Sequence, residues 1–254
     1  MRRKSAVLAA LLLAASSLFA SEERDPGTAF AVAIERHDAD AVKALLAGGA
    51  AADTLIEYGD HKITPLMKAA WDGDAAIIDL LLSAGAKVNA TSSDTRETAL
   101  MNAVSRDRNE IAATLIKAGA DVSLRNAYDF NAFTSAVSAG NQDMAALLLD
   151  AGAKVEEGAS GLTPLQFASS AGNVAMIRFL VSHGADVNHG AKSGAETALL
   201  SAIYAGKMDA VKTLIELKAN VNSRTKNGDT PLKAAQKGDQ DDIIAVLKAA
   251  GAKQ

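Results

Sequence analysis

The sequence lacks cysteine and has few aromatic residues. None of its 254 residues is cysteine, and Phe, Trp and Tyr together account for 4%. Disulfide bonds therefore contribute nothing to stability, and attachment to a membrane through a lipid-modified cysteine is excluded. The apolar residues, 49% of the chain, are mainly Ala and Leu. Small side chains in this proportion favour closely stacked helices over a sheet sandwich or an enzyme core built around large rings.

Positive charge and long apolar runs are also scarce. The 26 Lys and Arg residues are outnumbered by 30 Asp and Glu residues, which argues against a general binder of nucleic acid or anionic membranes. The one long apolar run, residues 6–20, is shorter than the roughly 20 residues of a membrane-spanning helix. It follows Arg2, Arg3 and Lys4 and precedes a polar stretch, which is the layout of a secretory signal peptide.

This layout predicts a signal peptide at residues 1–20, cleaved after Ala20, and a linker at residues 21–27. Leu18, the third residue from that cleavage site, is larger than ideal, so the site could lie a residue or two away. An uncleaved membrane anchor is the alternative interpretation. We expect a periplasmic or secreted protein with no stable membrane insertion after cleavage. Its formal charge would then be −7, from 23 basic and 30 acidic residues.

An internal repeat covers the rest of the sequence. Seven residues that can cap the start of a helix recur at steps of 32 to 36 residues: Thr28, Thr64, Thr98, Asn131, Thr163, Thr197 and Thr230. A further position recurs 21 residues after each of these caps. It is a glycine that can end a helix in six repeats, namely Gly49, Gly85, Gly119, Gly152, Gly184 and Gly251, and it is Lys218 in the sixth repeat. Apolar residues fall at helical spacing in between, with a break midway. Each unit is therefore predicted to be a helix-turn-helix hairpin with an extended connector, and stacking buries a continuous core.

The segment from Ile63 to Asn89 resembles the ankyrin repeat, because Thr64-Pro65-Leu66 begins it and Gly85-Ala86 comes near its end. The resemblance runs from about residue 28 to residue 252. It implies an all-α solenoid of seven helix-turn-helix repeats with short β-hairpin-like connectors. The repeats would cover residues 28–58, 59–92, 93–125, 126–157, 158–191, 192–224 and 225–254.

The sequence departs from a regular repeat at several positions. Lys218 in a glycine position implies either a strained left-handed backbone or a different end to the sixth hairpin. Residues 54–60 are predicted to form an enlarged loop. The family's usual His after Thr-Pro-Leu is absent, and Met67, Gln166 and Lys233 in its place are expected to weaken a local hydrogen-bond network.

The last repeat is predicted to be a cap that ends the stack. A core position of the second helices, occupied by Leu46 in the first repeat, is Lys248 in the last. A core position of the first helices, occupied by Ile34 in the first repeat, is Gln236 in the last. Polar residues at both positions suit a repeat that no neighbour covers.

The sequence contains no recognised catalytic or metal-binding pattern. The four histidines lack the spacing of a zinc site: His37, His61, His183 and His189. No Ser-His-Asp constellation or phosphate-binding glycine loop occurs, and helix ends account for the glycines. We therefore expect a protein that is not an enzyme and that uses no cofactor or metal.

The resemblance implies that a partner binds the concave face, formed by the connector tips and the first helices. On this basis the partner-binding residues are predicted to be Asp60, His61, Ile63, Trp71, Asp72, Glu97, Arg106, Tyr128, Phe130 and Tyr204. Aromatic residues and arginine are frequent interface anchors, which favours this choice. The alternative is that Trp71 and Phe130 only fill gaps between repeats.

These features favour a monomeric protein-binding module whose partner the sequence does not identify. Similar exported ankyrin proteins support a periplasmic enzyme or neutralise a toxin or hydrolase. A secreted effector directed at a host is an alternative. An enzyme or small-ligand binder on the same scaffold is a further one, and it would require a deep pocket with convergent polar groups.

Overall fold

The computed structural model describes residues 25–190 and 194–253. The predicted signal peptide, the first part of the predicted linker and the predicted boundary between repeats five and six at residues 191 and 192 lie outside the described residues. The described part contains fourteen helices and one two-stranded sheet. It divides into two compact units, the first ending at Tyr128 and the second beginning at Asp129.

Both units consist of helical hairpins, which confirms the predicted all-α solenoid of helix-turn-helix repeats. The elements of the first unit are α1 Pro26–Glu35, α2 Ala39–Ala47, β1 Ile56–Tyr58, β2 His61–Ile63, α3 Pro65–Asp72, α4 Ala75–Ser83, α5 Ala99–Ser105 and α6 Asn109–Lys117. Those of the second unit are α7 Ala132–Ala139, α8 Gln142–Asp150, α9 Pro164–Ala171, α10 Val174–Ser182, α11 Ala198–Tyr204, α12 Met208–Glu216, α13 Pro231–Lys237 and α14 Asp241–Ala249. Each odd-numbered helix packs against the even-numbered helix that follows it.

Six of the seven predicted caps begin a first helix of a hairpin. Their side-chain oxygens accept a hydrogen bond from the amide three residues later, at 2.8 to 3.4 Å: Thr64, Thr98, Asn131, Thr163, Thr197 and Thr230. The first repeat differs, because α1 begins at Pro26 after Asp25, and Thr28 lies inside the helix. Proline suits the first helical turn, so residues 26 and 27 belong to the first repeat and not to a linker.

Residues 54–60 do not form the enlarged loop that we predicted. Strands β1 and β2 pair as an antiparallel hairpin, with Ile56 opposite Ile63 and Tyr58 opposite His61. Gly59 has a φ of 61°, as the first residue of a type II′ two-residue turn requires. Ile56 is only 1% exposed, so the hairpin is anchored in the core of the first unit.

The buried positions of the second helices lie one residue earlier than the sequence register suggests. Leu46 and Leu82 are only half-buried. The leucines just before this position are at most 6% exposed in all seven repeats: Leu45, Leu81, Leu115, Leu148, Leu180, Leu214 and Leu247. Because consecutive helical residues point about 100° apart, only the earlier position faces the core. Gln236 is exposed, as predicted, whereas Ile34 at its equivalent position is buried.

Lys218 ends the sixth hairpin in the same way as the glycines end the others. The six glycines have φ angles between 84° and 98°, and Lys218 has a φ of 71°. The structure therefore selects the first of the two alternatives, a lysine in the left-handed backbone conformation.

Gln166 replaces the family's usual histidine and still forms hydrogen bonds, including one to the neighbouring repeat. Its Oε1 accepts from the backbone N–H of Thr163 at 2.7 Å, and its Nε2 donates to the carbonyl of Glu196 at 2.9 Å. The expected weakening of the network is therefore wrong at this position, because the amide group supplies both an acceptor and a donor. At Met67 only the weakly accepting sulfur contacts the Thr64 N–H, at 3.5 Å.

Asparagine side chains also join successive connectors within each unit. The amide group of Asn188 donates to the carbonyl of Lys218 at 3.2 Å and accepts from the N–H of Asn220 at 2.7 Å. Asn89 makes the same pair of bonds to Gly119 and Asp121 in the first unit. Each asparagine thus satisfies one donor and one acceptor of the next connector.

Candidate partner-binding site

The β1–β2 hairpin is held against the connector of the third repeat. Backbone groups of Lys62 bond Ser93 twice: its N–H donates to the Ser93 hydroxyl at 2.9 Å, and its carbonyl accepts from the Ser93 N–H at 3.1 Å. At the hairpin tip, His61 Nδ1 lies 2.8 Å from Asp94 Oδ2. The backbone N–H of Thr95 donates a hydrogen bond to the Asp94 carboxylate, and this bond lowers the pKa of that carboxyl below its usual value. The nearby His61 lowers it further by a smaller amount. These contacts fix the position of the neighbouring Tyr58.

Trp71 lies in the last turn of α3 and is covered on one side by the next repeat. The guanidinium carbon of Arg106, at the end of α5, is 3.8 Å from the centre of the Trp71 ring. This cation–π contact holds the half-buried indole in one orientation.

A buried lysine lies beneath the hairpin. Lys68 in α3 is 5% exposed, and its ammonium is 3.0 Å from an Asp72 oxygen and 3.4 Å from a Glu35 oxygen. The same ammonium lies 5.5 Å from the centre of the Tyr58 ring. The two carboxylates offset the cost of burying this charge, and the aromatic ring adds a weaker attraction.

These side chains surround a cavity of about 190 Å³, which we call the Trp71 cavity. Its lining comprises Tyr58, His61, Ile63, Lys68, Trp71, Ser92, Asp94, Thr95, Glu97 and Asn102. The Ser92 hydroxyl accepts from the Glu97 N–H at 3.0 Å and contacts the Thr95 hydroxyl at 2.9 Å, which fixes one polar side. The cavity is thus shaped by hydrogen bonds and packing between the β1–β2 hairpin and the second and third repeats of the first unit.

Glu97 is the carboxylate of the cavity with the most restricted access to water. Partial burial raises the pKa of Glu97 above its usual value, and the negative charge of Asp94 raises it further. A hydrogen bond with the Asn126 side chain opposes this shift. The ionised form of Glu97 is therefore less stable here than in water, and a nearby cation would stabilise it.

The structure brings most of the predicted residues of the first unit together. His61, Ile63, Trp71 and Glu97 line the Trp71 cavity. Asp72 and Arg106 contact its lining through Lys68 and the Trp71 ring. The other two predicted residues of this unit do not line the cavity: Asp60 lies exposed in the hairpin turn, and Tyr128, 66% exposed, lies near the end of the unit.

Phe130 and Tyr204 belong to the second unit. The Phe130 ring lies 5.5 Å from the ring of Phe167, a packing contact between neighbouring repeats that agrees with the gap-filling alternative. Tyr204 is 51% exposed and lines a more open cavity of about 370 Å³ with Leu162, Gln166 and Glu196. Burial, then the charges of Asp229 and Glu196, raises the pKa of the Tyr204 hydroxyl, so it stays protonated at neutral pH.

Six residues of the cavity lining are absent from the predicted partner-binding residues: Tyr58, Lys68, Ser92, Asp94, Thr95 and Asn102. The alternation of Ile56, Glu57 and Tyr58 before Gly59-Asp60 is a hairpin signal that places Tyr58 at the tip. The i,i+4 spacing of Lys68 and Asp72 is a helical pairing signal, but the contact of Lys68 with Glu35 from another repeat has no signal in the sequence.

Two further observations concern the chain between residues 25 and 253. None of the fourteen helices described there has the length and apolarity that crossing a bilayer requires. His, Asp and Glu side chains in the same described residues do not form a group of three or more that could hold a metal ion.

Comparisons with known proteins agree with the architecture. A family model described as ankyrin repeats, three copies, matches residues 4–92, 30–126, 100–191 and 187–254. A crystal structure of an ankyrin repeat domain from Acinetobacter baumannii is similar, with 33% sequence identity and a TM-score of 0.65. The similarity covers 74% of this chain and 98% of that domain. No curated protein matches the chain.

Proposed function

Because the chain belongs to the ankyrin-repeat family, we propose that it is an exported, non-catalytic module that binds a partner protein at the Trp71 cavity. Ankyrin repeats generally mediate protein–protein interaction, and the family is typically a binding scaffold without catalytic activity. The finer parts of the proposal are the export, the location of the binding surface and the kind of partner.

The observation that carries the proposal is the ordered aromatic surface around the cavity. Tyr58 is 47% exposed and Trp71 is half-buried, yet contacts from neighbouring repeats hold both side chains. Aromatic side chains in such positions contribute most to binding when they enter or form a pocket at the centre of an interface. Because these side chains are already ordered, they lose less conformational entropy when a partner binds.

The size of the cavity favours a protein partner over a small ligand. Its volume, about 190 Å³, is below the roughly 300–1,000 Å³ of typical ligand pockets. A single side chain projecting from a protein surface fits such a space, and the exposed hairpin around Asp60 offers further contact area.

Export is supported by the sequence layout of residues 1–20, a basic segment followed by an apolar run and a polar stretch. In the periplasm or outside the cell, the module would help an enzyme or inhibit a toxin or hydrolase. An inhibitor would bind one target with nanomolar affinity, whereas a helper would bind several clients weakly.

Site-specific crosslinking tests the proposal. A photoreactive amino acid replaces Asp60 beside the cavity or Lys117 at the end of α6, both exposed in the first unit. The full chain is expressed with a C-terminal tag in a Gram-negative bacterium, irradiated and fractionated. We expect the processed form in the periplasm or medium, and at least one discrete protein adduct from position 60 that position 117 does not give.

Substitution of the anchor provides the control. Trp71→Ala with Tyr58→Ala should remove the adduct from position 60 without changing export of the chain. If both positions gave the same adducts, or if the double variant gave an unchanged adduct, the proposed surface would be wrong. Unprocessed protein in the membrane pellet would instead contradict the predicted cleavage.

A further inference from the structure

The Trp71 cavity contains a carboxylate with no basic partner. Among the ion pairs of residues 25–190 and 194–253, none includes Glu97, which instead hydrogen-bonds the amide side chain of Asn126. Glu97 is partly buried, and Asp94 adds a second negative charge nearby. A buried carboxylate beside another one is stabilised when a cation binds.

The balance of charge around the cavity is negative. Four carboxylates line it or contact its lining, namely Glu35, Asp72, Asp94 and Glu97. Two permanent cations oppose them, and both are engaged: Lys68 with Asp72 and Glu35, and Arg106 with the Trp71 ring. His61 is already against Asp94. Glu97 therefore remains available to a ligand, and the net negative charge around the cavity attracts a cation and repels an anion.

The remaining walls suit a flat cation. Tyr58 and Trp71 supply aromatic rings, and Ile63 supplies an apolar side. Guanidinium groups stack on aromatic rings and donate paired hydrogen bonds to carboxylates, which a compact ammonium does less well. The molecule already contains one such contact, since Arg106 lies 3.8 Å from the centre of the Trp71 ring.

We propose that the Trp71 cavity binds an arginine side chain of the partner protein, with the guanidinium donating to Glu97 and lying against the aromatic wall. This inference rests on the proposed function, because it specifies what the partner inserts. The cavity volume matches one side chain, and Glu97 supplies specificity for charge. The aromatic rings supply most of the contact area.

A titration with an arginine derivative tests the inference directly. Trp71 is the sole tryptophan of the chain, so intrinsic tryptophan fluorescence reports on this cavity alone. N-acetyl-arginine amide is added to the chain of residues 21–254 at neutral pH, and N-acetyl-citrulline amide, which has the same shape without the charge, is the control. We expect a saturable change with half-saturation at about 1–10 mM for the arginine derivative and none for the citrulline derivative.

Matched substitutions assign the binding to Glu97. Glu97→Gln removes the carboxylate from the cavity, and Glu110→Gln makes the same change at an exposed position of α6 outside the cavity. Losing a hydrogen bond to a charged group should raise the dissociation constant about tenfold for Glu97→Gln. It should stay unchanged for Glu110→Gln. Equal urea midpoints or a higher one for Glu97→Gln would show that the variant is folded.

The outcomes separate this inference from the proposed function. A crosslinked adduct at position 60 with no fluorescence response to the arginine derivative would overturn the inference and leave the proposed surface in place. Binding of the citrulline derivative with equal affinity, or an equal effect of both glutamine variants, would also overturn it. Arginine binding that depends on Glu97 without any adduct would support the cavity chemistry and contradict the protein-binding surface.

Discussion

Replacing Lys218 by glycine should stabilise the second unit. Lys218 ends α12 with a φ of 71°, in the left-handed region that costs a residue with a side chain about 1–2 kcal/mol. Glycine avoids this cost, but it also loses about 0.4–1 kcal/mol more conformational entropy on folding. The expected net gain in the free energy of unfolding is about 0.5–1 kcal/mol.

The other repeats show that backbone conformation alone sets this magnitude. A Cβ atom added to any of the six equivalent glycines would meet no atom within 4 Å. The side chain of Lys218 is exposed, so its removal sacrifices no packing. The hydrogen bond from Asn188 to the backbone carbonyl of Lys218 does not depend on the side chain and should persist.

Urea unfolding followed by circular dichroism measures the effect. With a slope of about 2–3 kcal/mol per molar urea, Lys218→Gly should raise the midpoint by about 0.2–0.5 M at constant slope. Lys218→Ala removes the charge but retains the Cβ atom, so it should give no such gain. Gly152→Lys, at a φ of 98°, should by the same balance lower stability by about 0.5–1 kcal/mol. An unchanged midpoint for both Lys218→Gly and Gly152→Lys would refute the reasoning.

Three further substitutions test other parts of the structure. Asn188→Ala removes two hydrogen bonds to the next connector and should cost about 1–2 kcal/mol in urea unfolding, and a loss below 0.3 kcal/mol would contradict this role. Glu97→Gln should stabilise the first unit at pH 7, because burial and then Asp94 raise the folded-state pKa of Glu97 and make its ionised form costly. The gain should disappear below about pH 4, where the carboxyl is protonated in both the folded and the unfolded state. Thermal melts at pH 7 and below pH 4 measure the gain, and an equal gain at both pH values would contradict this explanation. Ile56→Ala should lower the free energy of unfolding by about 2–5 kcal/mol and increase hydrogen exchange of the hairpin amides, because it removes the buried anchor of the hairpin. Unchanged exchange would contradict this role of Ile56.

Most of the fold could be predicted because each repeat carries its own helix signals. A threonine or asparagine with a free side-chain oxygen caps a helix wherever it occurs before a helical pattern, as Thr64 and Asn131 do. Left-handed glycines end the second helices for an equally local reason. The start of α1 at Pro26 carries a local signal too, which the spacing of the caps obscures.

The candidate site was predictable only in part. Position within the repeat is enough to place Ile63 and Glu97 near each other, since they directly precede the caps Thr64 and Thr98 and equivalent positions of stacked repeats are neighbours. It does not place Tyr58, because that depends on the β1–β2 hairpin, the one two-stranded sheet among residues 25–190 and 194–253. Nor does it separate Phe130, which packs on Phe167, from an exposed anchor such as Tyr128.

The repeat, its helical hairpins and the chemistry available on the connector tips can be derived from the sequence, since caps, left-handed turns and apolar spacing act over a few residues. Tertiary structure is needed to tell which side chains share a cavity. Lys68 is matched with Glu35 from the repeat before, and Trp71 with Arg106 from the repeat after. Those contacts depend on packing between repeats and on the hairpin that carries Tyr58, and Coulombic and aromatic interactions of this kind change steeply with distance.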